Sequence, residues 1–139
     1  MSSPGNPFDL SVDGRAVKTP IAIASMAGTV DAAYVARRAE HVGMAFVGGY
    51  SLDSRTIAAG RQMAEAGRCE FLPGDPVAEI SRQADLLSAL PVVGGVNLRA
   101  SSPEALAGLA GSLGDKVVYE IDAHCRQAPM VEAGAGEYL

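Results

Sequence analysis

Short apolar runs alternate along this chain with longer stretches in which apolar residues recur three and four positions apart. The runs at 21–26, 44–47, 92–98 and 116–121 have the length of strands, and the continuity of 21–26 fits a strand buried on both faces. Between them, 32–41 carries Tyr34, Val35 and Ala39 on one side behind a capping Asp31 and closes at Gly43. A second helix starts at Asp53 or Ser54 and reaches Ala66, ending at Gly67. A third opens near Pro76 with Ile80, Ala84, Leu87 and Leu90 at helical spacing, and a fourth opens at Ser102-Pro103 and runs through Leu113. Ahead of all these, 8–12 alternates apolar and polar, Asp13-Gly14 offers a tight turn, and 15–18 returns as a β-hairpin.

Strands alternating with helices predict a parallel sheet with right-handed crossovers. The expected fold is α/β, the N-terminal half of a (β/α)8 TIM barrel preceded by a hairpin. Residues 1–19 form the N-terminal segment and 20–139 about four βα units. A closed eight-stranded barrel takes roughly 250 residues, so the chain reads as truncated.

Composition narrows the class. Hydrophobic residues make up 48% and charged residues 19%, too apolar a balance for disorder. The formal charge of −5 has no long run of either sign and argues against this segment gripping a phosphate backbone by itself. Cys69 and Cys125 lack CxxC or paired histidine spacing, which excludes a disulfide framework and a zinc site. The start has neither the basic nor the apolar region of a signal peptide, and no apolar stretch approaches the ~18 residues of a membrane span. The expected compartment is the cytoplasm.

In sheets of this kind the functional groups lie just beyond the C-terminal strand ends. Those ends carry Ser25-Met26-Ala27-Gly28, Gly48-Gly49-Tyr50, Asn97-Leu98-Arg99 and Asp122-Ala-His-Cys125. Small residues there let a flat ligand approach the backbone. A lone cysteine is most often buried and inert. Cys125, however, lies past its strand between His124 and Arg126, cationic neighbours that favour a proton donor or nucleophile. Cys69, in a loop expected at the opposite end of the unit, reads as structural. Glu120 and Asp122 share a strand face at i, i+2 spacing. Gly134-Ala-Gly136 lacks the spacing of a dinucleotide or Walker loop.

Three motifs together resemble the flavin-dependent tRNA-dihydrouridine synthase family, its archaeal relatives included. Ala24-Ser-Met-Ala-Gly28 with Thr29-Val-Asp31 is similar to the family's first-strand Ala-Pro-Met-(Ala/Glu)-Gly-Val-Thr-Asp. Glu120-Ile-Asp-Ala-His-Cys125 is similar to the fourth-strand Ile-Asn-x-Gly-Cys-Pro, and Val131-Glu-Ala-Gly-Ala-Gly136 to the glycine-rich segment that follows. Ser25, Asp122, His124 and Arg126 depart from that pattern, and Asn97 stands where the family commonly offers glutamine. The hairpin is similar to that of dihydroorotate and dihydropyrimidine dehydrogenases, sister flavoproteins.

The resemblance implies an FMN-binding barrel, an oxidoreductase when full length, with NAD(P)H as electron donor. It implies reduction of a pyrimidine C5=C6 bond by flavin hydride, with Cys125 as catalytic general acid. Ser25, Met26, Ala27 and Asn97 would hold the flavin, and Asp122 and His124 the pyrimidine nucleotide. tRNA would be reached through a region absent here, and the 139-residue chain alone is expected to be inactive. The competing reading is a non-catalytic half-barrel that self-associates through open sheet edges or binds a partner. Schiff-base chemistry fits poorly, since Lys18 and Lys116 fall at the wrong strand ends.

Overall fold

A computed structural model of the chain describes residues 9–123 and 125–135. Strands β1 (Leu10–Val12) and β2 (Arg15–Val17) form the antiparallel hairpin. Its turn residues Asp13 and Gly14 have φ of 51° and 72°, the pair of left-handed conformations that a two-residue hairpin turn requires. The third residue of the expected first arm, Leu10, begins β1, while Phe8 lies outside the described residues.

Four strands then form one parallel sheet in chain order: β3 (Ala22–Ile23), β4 (Met44–Ser51), β5 (Val93–Arg99) and β6 (Val118–Ile121). Helix α1 (Ala32–Ala36) joins β3 to β4, α2 (Ser54–Glu65) and α3 (Pro76–Ser88) lie between β4 and β5, and α4 (Pro103–Leu113) joins β5 to β6. Helix α5 (Ala128–Ala133) follows the last strand. Four helix starts are fixed by side chains that accept an otherwise unpaired N–H of the first turn: Asp31 from Tyr34, Asp53 from Thr56, Asp75 from Ala78 and Ser102 from Ala105.

The main core lies on one face of the sheet. Ala45 and Val47 of β4 and Val96 and Leu98 of β5 meet Val35 of α1, Ile80 and Leu87 of α3, and Leu109 and Leu113 of α4. The opposite face carries Phe46, Gly95, Asn97, Arg99 and Glu120, as strand alternation dictates. A smaller cluster joins α2 to α5 through Ala59, Met63, Met130 and Ala133. The protein is thus an α/β fold with a four-stranded parallel sheet and an antiparallel hairpin.

Three expectations are corrected. The run at 21–26 is not a doubly buried strand: β3 has two residues, and Ile21 and Met26 are 58% and 60% exposed. Among the described residues it pairs only with β4, and no second strand covers its other edge. The helix expected over 32–41 stops at Ala36, and the chain reaches Gly43 through successive turns. The strand expected to end at Val47 continues to Ser51 through an irregularity between Gly48 and Tyr50. One residue inserted into a period-two pattern reverses every later side chain. Tyr50 therefore turns into the helix-side core, fully buried and paired in register with Leu98.

Candidate functional site

Beyond the C-terminal strand ends lies a cavity of about 480 Å³, within the size range of small-ligand pockets. It brings together Ser25, Met26 and Ala27 after β3, Asn97 on β5, and Asp122 and Cys125 after β6. His124 lies outside the described residues, as does Gly136. Gly134 serves as the left-handed cap that ends α5, at φ 79°.

The floor is an ordered polar network. Glu120 Oε1 accepts from Ser25 Oγ at 3.0 Å and from Asn97 Nδ2 at 2.6 Å, tying β6 to its neighbour β5 and to the segment that follows β3. A carboxylate only accepts, so Glu120 fixes the orientation of the Asn97 amide with its nitrogen inward. Asn97 Oδ1 then lies over Gly49, where a methyl group would sit 2.6 Å from it. Only glycine at 49 leaves room for the amide in that position. Of the two carboxylates on the β6 face, Glu120 therefore holds the floor, and Asp122 lines the cavity beyond it.

Sequence reasoning left out the wall. The segment after α2 folds over the strand ends and is fastened at three successive residues. Cys69 packs against the backbone at Gly28. Glu70 Oε2 accepts from Arg99 Nη2 at 2.5 Å, with the two side chains 1% and 5% exposed. Phe71 stacks on Tyr50, ring centroids 5.1 Å apart and planes at 24°. Cys69 is thus on the strand C-terminal side, not the opposite end expected for it, because its loop reverses over the sheet. Arg99, Glu70, Arg68 and Met63 join the cavity lining. Arg99 was legible from its i, i+2 relation to Asn97, whereas nothing local marks Glu70 as buried.

No protein family, curated protein or solved structure matches this chain. The site is accordingly read from its own chemistry. Cys125 faces the cavity and also packs against the apolar cluster of Ala59, Met63 and Met130, so its thiol is held at the boundary between α5 and the open space. Arg126 beside it is exposed and lines the same cavity. The arrangement supplies a small thiol, two carboxylates, an oriented amide and three guanidinium groups around one space. Among the described residues no cluster of histidine, cysteine and carboxylate side chains could hold a metal ion.

Proposed function

We propose that the four parallel strands are half of a (β/α)8 barrel and that the cavity at their ends is part of an FMN site in an oxidoreductase acting on pyrimidine C5=C6 bonds. The observation that carries this reading is convergence. Ser25, Met26, Ala27, Asn97, Asp122 and Cys125, drawn from three strand ends up to a hundred residues apart in sequence, line one cavity. Sequential strand order with the crossover helices α1, α3 and α4 on a single face also supports the barrel over a doubly wound sheet.

The residues fit the flavin ring system. Met26 presents an exposed thioether stem next to Ala27, suited to one face of a flat ring. Asn97 Oδ1 makes no hydrogen bond among the described residues and suits an imide N–H. The flavin, when bound, would supply hydride to the pyrimidine. Around it Glu120 and Ser25 keep the amide oriented, Asp122 accepts a hydrogen bond from the pyrimidine N–H, and Cys125 delivers a proton from Sγ to the carbon opposite the one reduced. NAD(P)H as donor, a nucleotide or tRNA substrate and a cytoplasmic setting belong to the same reading. Titration of the purified chain with FMN, followed by quenching of flavin fluorescence, tests it. Binding lost on Asn97→Ala supports the site, while no binding to the chain or to a version extended to eight strands refutes it. Full turnover by Cys125→Ala in the active protein would remove the acid role.

One observation favours a second reading, in which two copies pair. Leu98, Leu106, Ala110, Tyr119 and Ile121 line an apolar groove beside the open edge of β6, with Ile121 46% exposed. Sedimentation over a concentration series separates the two: a monomer at all concentrations leaves only the first.

A further inference from the structure

Arg99 is held by less than it can bind. Its two hydrogen bonds both leave from Nη2, to Gly49 O at 2.9 Å and to Glu70 Oε2 at 2.5 Å. Nε is sealed from water, and so from a cavity ligand, with no acceptor, while Nη1 makes no bond among the described residues and is the donor left for a ligand. The residue is 4% exposed and lines the cavity. A buried guanidinium with N–H groups unmatched is costly, and a ligand oxygen accepting from Nη1 would offset part of that cost. Local charge points the same way. Arg68, Arg99 and Arg126 line the cavity with Glu70 and Asp122, a net positive wall above the floor carboxylate Glu120, in a chain of charge −5. Arg68 and Arg126 are exposed and form no ion pair among the described residues, which leaves them free at the rim.

We infer that this cavity binds its ligand through an oxyanion, a carboxylate or a phosphate, anchored by Arg99 and drawn in by Arg68 and Arg126. Arginine suits this task because its guanidinium is always charged and gives a charge-assisted hydrogen bond to either group. Glu70 and Gly49 O together take Nη2 and fix the plane of the guanidinium, so Nη1 is the donor held ready toward the cavity. Asp122, the other carboxylate in the wall, repels an anion placed near it and so orients the ligand with its acid group toward Arg99. The inference stands without the flavin.

The test is isothermal titration of the full chain at low salt in a phosphate-free buffer. The probes are orotate, uridine 5′-monophosphate and uracil, which share a ring and differ in carrying a carboxylate, a phosphate or neither. The expected result is at least tenfold tighter binding of one anion than of uracil, weakening as salt is raised, and the anion that binds identifies the source. Arg68→Ala/Arg126→Ala changes exposed side chains and is expected to weaken that anion more than threefold and flatten the salt dependence. Arg99→Met/Glu70→Leu removes both charges together and is expected to abolish the preference for the anion. Equal binding of all three probes, no binding of either anion, or a preference surviving in a folded Arg99→Met/Glu70→Leu chain overturns the inference. If that variant does not fold, the rim variant decides, and an unchanged anion preference there overturns it. An FMN titration run alongside keeps the two readings apart, since anion binding without flavin binding refutes only the flavin.

Discussion

Gly28 should be the least replaceable residue of the cavity wall, and the structure indicates by how much. Its φ is +70°, and a methyl group there would meet Glu70 N at 2.5 Å, the Cys69 carbonyl carbon at 2.6 Å and Cys69 Cβ at 2.7 Å. Two penalties therefore add in Gly28→Ala. The left-handed conformation costs a side-chain-bearing residue about 1–2 kcal/mol. The obstructing atoms are mostly backbone pinned by the Glu70–Arg99 and Phe71–Tyr50 contacts, so displacing them costs a further 1–3 kcal/mol, typical of overpacking. Gly67 provides the control, since its φ is +88° with nothing within 4 Å of the added carbon. Gly67→Ala should show the conformational cost alone. Urea unfolding followed by circular dichroism measures both. At an m-value of about 2 kcal/mol per molar, Gly28→Ala should lower the midpoint by ~1–2.5 M and Gly67→Ala by no more than ~1 M. Equal midpoints for the two variants would refute the docking of the 69–71 segment on the β3–α1 turn.

Other substitutions separate stability from the site. Gly49→Ala meets Asn97 Oδ1, the movable end of a side chain, so the fold should lose only about 1 kcal/mol while the Asn97–Glu120 hydrogen bond is displaced and ligand binding falls; thermal melts beside titrations distinguish the two effects. Tyr50 OH is buried without a partner, so Tyr50→Phe should be neutral or stabilise by about 1 kcal/mol. Burial, with the Glu79 and Asp31 carboxylates adding to it, pushes the Tyr50 phenol above its ordinary range. The unfolded chain then ionises first, so stability present below about pH 10 should be lost as pH rises, and less so in Tyr50→Phe. Burial would raise Asp53, yet the N–H groups of Thr56 and Ser101 outweigh it and hold its carboxyl below the usual range. That contribution is complete above about pH 4 and lost as pH falls further, and Asp53→Asn, which keeps only one acceptor for the N–H groups of Thr56 and Ser101, should remove about 1 kcal/mol at neutral pH and flatten the acid limb of a stability profile.

The elements were legible where their signals are local. Asp31, Ser102-Pro103 and Pro76 mark helix starts by hydrogen-bond and ring geometry that a neighbouring strand cannot alter, and Asp13-Gly14 determines its own turn. What escaped depends on partners distant in sequence. Whether residues 21–26 are covered depends on what pairs with the far side of β3, and the continuation of β4 past Gly49 depends on Leu98 and Arg99 offering it a register. The strand-end residues of the site follow from topology, so Asn97, Asp122 and Cys125 were nameable in advance. Glu70 was not, because a carboxylate in a loop reads as solvated until Arg99 is known to lie beneath it.

The hairpin has a consequence for how the chain assembles. Arg15 donates to the carbonyl oxygens of Asp115 and Lys116, a hundred residues onward, at the opposite end of the sheet from the cavity. Val17 and Thr19 close on Gly43 from the same side. The hairpin is thus latched to the turn that feeds β6, and the latch cannot engage until that turn has formed. Contacts of such long separation slow folding, because the loop they close must lose its freedom before the contact forms. During synthesis the hairpin can close on Gly43 early, whereas the Arg15 latch waits until residues 115–116 are in place, and its engagement reports that β6 has joined β5.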